Sequence, residues 1–139
     1  MVEVPPAVVT FLRRLAAHVA GQRTYLSFGE RARLVAAVGQ FSSGYSEVKL
    51  GEDILFRSVD RLRVALGDVI LEDSQAAVYT LVATIQIALA DSCLDRADIE
   101  LVHWVSDALG FDRPRVERAI ELADGQVGAV GAAPAYSLA

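Results

Sequence analysis

Cysteine is almost missing from this chain of 139 residues. Cys93 stands alone, so no intramolecular disulfide can form, and a reducing compartment is the expectation. Histidine is scarce too, with only His18 and His103, and no nucleophile, base and orienting group can be assembled from so few residues. Positive charge is in deficit: 13 Lys and Arg face 18 Asp and Glu, a net charge of -5. Sequence-independent binding to a nucleic-acid backbone needs clustered cations, so nucleic acid is not an expected partner. Long hydrophobic runs are missing as well. The longest, from Ala76 to Ala90, is interrupted by Thr80, Thr84 and Gln86 and falls short of the roughly 20 residues a membrane span requires. No leader with a basic start and an apolar stretch precedes the first helix, which points to the cytoplasm. Sustained alternation of period two is absent, and with it any strand signal.

What remains is helical. Hydrophobic residues make up 53% of the chain and charged residues 22%, enough apolar surface to offset the entropy of ordering one domain. Apolar residues recur at three and four positions, which predicts an all-α, compact single-domain bundle of about six helices. The first begins near Pro5 and Pro6, carries Val8, Phe11, Leu12, Leu15 and Val19, and ends at Gly21. Ser27 and Glu30 form a capping-box pattern ahead of Leu34, Val35, Val38 and Phe41. A break at Ser42 to Ser46, with Gly51 closing a loop, precedes a third stripe of Leu55, Val59, Leu62 and Leu66, stopped by Gly67. Asp73 or Ser74 caps a fourth, central helix through Leu89. Asp95 caps a fifth, ended by Gly110, and Asp112 a sixth with Val116, Ala119, Ile120 and Ala123 inward. The domain is expected over residues 1–124, and a flexible Gly- and Ala-rich tail over 125–139.

The stretch Ala88-Leu89-Ala90-Asp91-Ser92-Cys93-Leu94-Asp95-Arg96-Ala97-Asp98 joins an apolar helix to an amphipathic one. It resembles the helix junction of TerB-like (tellurite-resistance) domains, with Asp91, the aliphatic Leu94, the cap Asp95 and the second acid Asp98 in matching places. Ser92 stands where that junction usually has Gly. Trp104, Leu109-Gly110-Phe111 and Val116 resemble the rest of that family's hairpin and its last helix, so the likeness covers about residues 78–123. The resemblance implies a compact all-helical domain and a non-catalytic module linked to metal or stress responses. Its acidic junction would then be a candidate site for a divalent cation.

Read from the residues alone, Asp91, Asp95 and Asp98 lie within eight positions, and hard cations favour such carboxylates. The spacing departs from an EF-hand loop, since Val102 falls where the bidentate Glu is needed. The alternative is that Asp95 and Asp98 cap the fifth helix and complement its positive end. Cys93 and His103 are too far apart along the chain to work as a thiol and its base. His103 and Asp107 have the i, i+4 spacing of a surface pair, as do Asp53 and Arg57 in a basic run with Arg61, Arg63 and Asp60. His18, in a last helical turn, is placed to favour the negative helix end. A second functional reading is a protein-interaction adaptor with an apolar inter-helix groove, without metal, whose anchors are Trp104, Tyr45 and Tyr79. A protein partner or a second copy of the chain is expected under either reading.

Overall fold

A computed structural model describes residues 4–22, 27–91 and 96–127. Among them are seven α-helices and no strand: α1 (Pro6–Gly21), α2 (Phe28–Gly39), α3 (Glu47–Leu55), α4 (Val59–Ile70), α5 (Ser74–Ala88), α6 (Arg96–Leu109) and α7 (Arg113–Val127). A 3₁₀ turn, Leu89–Asp91, extends α5. The all-α bundle expected from periodicity is therefore the architecture. No helix among the described residues is long and apolar enough to cross a membrane.

Two helices organise the packing. α1 lies against α2, α3, α4 and α5, and it buries Val8, Phe11, Leu12, Leu15 and Val19 together with Ala16, Ala17 and Ala20. α5 touches α1, α2, α4, α6 and α7, as a helix apolar on most sides should. Its Thr80 and Thr84 are fully buried, yet each hydroxyl donates to the carbonyl four residues earlier, Ala76 O at 2.8 Å and Thr80 O at 2.6 Å. Those bonds satisfy the polar atoms within the helix itself, so the polar interruptions of the apolar run cost little. A larger core gathers around α1, and a smaller one joins Leu81, Ile85 and Leu89 to Val102 of α6 and Val116, Ala119 and Ile120 of α7.

Several predicted boundaries hold at atomic detail. The Glu30 N–H donates to Ser27 Oγ at 3.1 Å and the Ser27 N–H to Glu30 Oε1 at 3.2 Å, the two halves of a capping box. The Ala76 N–H donates to Asp73 Oδ1 at 2.9 Å, so Asp73 is the cap of α5. At the end of α6, Gly110 has φ +83°. The Phe111 N–H bonds Ser106 O and the Gly110 N–H bonds Asp107 O, which is a Schellman motif requiring the left-handed conformation glycine adopts without penalty.

The third predicted helix is corrected. It is two helices, α3 and α4, with Gly51 inside α3 and Gly67 inside α4, so neither glycine closes or stops anything. Added Cβ atoms at both positions would meet nothing within 4 Å. The real starts are Ser46 and Ser58, whose side chains accept from the Lys49 and Arg61 N–H groups. Basic residues stand at both N3 positions, so the acid that completes a capping box, and makes a cap legible in sequence, is missing. Leu55 belongs to no buried stripe; it is 79% exposed at the end of α3, while Leu62, Ala65, Leu66 and Val69 face the core. α7 also runs three residues past the expected domain boundary, to Val127; residues 128–139 of the expected tail lie outside the described residues.

Candidate functional site

A concavity lies where the last turn of α1 comes beside α4 and α6. It has a volume of about 290 Å³ and is lined by His18, Gln22, Val59, Leu62, Arg63, Ala97, Glu100, Leu101 and Trp104. The α6 wall follows the i, i+3, i+4, i+7 stripe of a single helix face, Ala97, Glu100, Leu101 and Trp104. The α4 wall is Val59, Leu62 and Arg63. Val59 and Arg63, four positions apart, share one face of α4 and span about 6 Å of this wall. Val59 is 50% exposed and Trp104 36%. Trp104 therefore presents part of its ring to the groove, while Leu62 beneath is sealed in the core.

The groove is bipolar. Among the described residues Arg63, on the α4 side, makes no ion pair, and Glu100, on the α6 side, pairs only with the exposed Arg96 at 3.2 Å, a pair worth little in water. His18 closes the end formed by α1. Burial lowers its pKa, and the neighbouring positive charge of Arg57 lowers it further. His18 stands in the last turn of α1 as expected, but there burial and the like charge of Arg57 disfavour its charged form.

The other expected site residues are dispersed. Tyr45 is only 9% exposed and packs in the larger core. Its hydroxyl donates to Asp53 Oδ2 at 3.1 Å, and the Arg13 guanidinium lies 5.5 Å from its ring centroid. It is a core residue and lies away from the groove. Tyr79 is half-buried on α5, and its hydroxyl accepts from Gln75 Nε2 at 2.8 Å; it too lies outside the groove. Of the three proposed anchors, only Trp104 lines the concavity.

Asp91 ends the 3₁₀ turn, Asp95 lies outside the described residues, and Asp98 is the third residue of α6, 3% exposed. Among the described residues, no three His, Cys, Asp or Glu side chains gather as a metal ion would require. Cys93 also lies outside the described residues.

Two expected i, i+4 pairs are replaced by contacts between elements. Asp53 is gripped by Arg13 of α1, with Nε and Nη2 each 3.0 Å from a carboxylate oxygen, and not by Arg57. Asp107 meets Arg113 Nη2 at 3.5 Å, and His103 Nε2 is 4.0 Å from Glu117 Oε1. His103 Nδ1 is buried with no hydrogen-bond partner among the described residues. Helical spacing points to Trp104 and Leu101. His18, Val59 and Arg63 are not legible as their neighbours, because only the packing of α4 against both α1 and α6 brings these segments together.

No protein-family model matches the chain, and neither a curated protein nor a solved structure matches it significantly.

Proposed function

We propose that this protein is a non-catalytic helical module that binds one amphipathic helix of a protein partner in the groove between α4 and α6. The observation that carries this reading is the partly exposed Trp104 lining a concavity of about 290 Å³ whose other walls are Val59, Leu62 and Leu101. That volume lies at the low end of small-molecule sites and suits one or two inserted side chains better than a large cofactor. The α6 wall from Ala97 to Trp104 rises about 10 Å, about two turns of a partner helix, which suits the helix-in-groove mode with anchors at i, i+3 or i, i+4. Arg63 and Glu100 on opposite rims favour a partner with an acid facing α4 and a base facing α6.

The TerB-like junction extends this reading to a module working in a stress- or metal-linked response. A divalent cation at Asp91, Asp95 and Asp98 is the second reading, motivated by the spacing of the three carboxylates along the sequence. Displayed helical peptides selected on the native protein and counter-selected on Trp104→Asp test the principal reading. Enriched peptides should carry an apolar i, i+3 or i, i+4 pair and shift the Trp104 emission. Peptides that bind both proteins equally, or no enrichment, refute it. A calcium, magnesium or zinc titration that leaves the Asp98 NMR signals unmoved removes the second reading and not the first.

A further inference from the structure

We propose that a second pocket, at the corner between α3 and α4, binds a phosphate group. The pocket has a volume of about 100 Å³ and is lined by Arg14, Ala17, Asp53, Phe56, Arg57, Ser58 and Arg61. About three waters would fill that space, a size suited to one tetrahedral oxyanion and too small for an organic cofactor. Three of its seven lining residues are arginines, on a protein whose net charge is -5. Arg57 and Arg61 are exposed, so this surplus faces solvent, where it raises the local concentration of anions.

The one carboxylate in the wall does not cancel the surplus. Asp53 is already held by both arms of Arg13 at 3.0 Å and by the Tyr45 hydroxyl at 3.1 Å, so the Arg13–Asp53 pair is neutral as a unit. Arg14, Arg57 and Arg61 make no ion pair among the described residues.

Two of these arginines are fixed in place by the backbone. Arg57 Nη1 donates to Ile54 O at 2.9 Å, and Arg61 Nη1 donates to Phe56 O at 3.4 Å. The Arg61 bond satisfies the Phe56 carbonyl at the end of α3, and the Arg57 bond adds a second donor to Ile54 O, which already accepts from the Arg57 N–H; the other guanidinium N–H groups remain available as donors. Arg57 also lies so close over Gly21, at the end of α1, that a Cβ there would collide with its Nε and Cδ. Guanidinium groups positioned in this way can present the forked donors that phosphate oxygens accept. The start of α4, 12 residues long, adds the positive end of a helix to the same wall. The phosphate could be free or carried by a lipid: Leu55 and Phe56, 79% and 66% exposed beside the pocket, are placed to meet acyl chains.

The test titrates the full chain with inorganic phosphate, reading amide NMR shifts over residues 57–61, and in parallel measures co-sedimentation with vesicles of phosphatidic acid or of phosphatidylcholine alone. Arg14→Gln and Arg61→Gln should each weaken the response at least fivefold, and the double variant should abolish it. Arg33→Gln, on α2 and outside both the pocket and the groove, should leave it unchanged, with circular dichroism confirming that every variant folds. Saturable shifts with inorganic phosphate support a free ligand. Binding to phosphatidic acid vesicles only, lost in the double variant, assigns the phosphate to a lipid headgroup. No response in either arm, or one that the double variant retains or Arg33→Gln reduces equally, overturns the proposal.

Discussion

Gly67 and Gly110 look alike as helix stops in the sequence, and substituting each by alanine separates them. Gly67 lies inside α4, exposed, with nothing within 4 Å of where a Cβ would stand. Alanine is favoured over glycine in a helix interior by about 1 kcal/mol, so Gly67→Ala should stabilise the fold by about that amount. Gly110 has equally open surroundings but a φ of +83°. Holding an L-residue there costs about 1–2 kcal/mol, offset by about 0.5–1 kcal/mol from the less flexible unfolded chain. Gly110→Ala should therefore destabilise by about 1 kcal/mol. The two variants should thus differ by about 2 kcal/mol with opposite signs. For a domain of this size each kcal/mol moves Tm by roughly 4 °C, well within the resolution of thermal melts, and urea denaturation followed by far-UV circular dichroism gives the free energies directly. If Gly67→Ala is as destabilising as Gly110→Ala, Gly67 is a left-handed helix end and the continuous α4 is wrong.

His18 gives a pH prediction. Its folded pKa lies below the ordinary 6.5 because burial and Arg57 disfavour the charged ring, so the folded state binds fewer protons than the unfolded state. Its contribution to stability is complete above about pH 6.5 and is lost as the pH falls through the lower folded value. His18→Gln should flatten the decline in Tm between about pH 7.5 and pH 5; an unchanged profile refutes the assignment. A double-mutant cycle addresses Asp53: Asp53→Asn should couple to Arg13→Gln by about 1 kcal/mol, the value of a charge-assisted pair after allowance for the 36% exposure of the Arg13 side chain. It should show no comparable coupling to Arg57→Gln, and a larger coupling to Arg57 would restore the intrahelical pair in place of the one to α1.

The helical class, the apolar faces of α1 and α5, and the helix ends that carry a complete local signature are all legible in the order of residues. The Ser27–Glu30 box, the Asp73 cap and the Gly110 turn can be read because each is settled by residues within a few positions of one another. Ser46 and Ser58 escape that reading because their partners are backbone N–H groups with no acid at N3 to mark them. Which charges meet, and which apolar residues stay in water, emerges only from the packing of the helices. Arg13 reaches Asp53 across 40 positions, and Trp104 comes to share a groove with His18 and Val59 only when α4 packs against both α1 and α6. Charge pairing and groove formation depend on distances in space, which local spacing constrains within one helix and leaves open between helices.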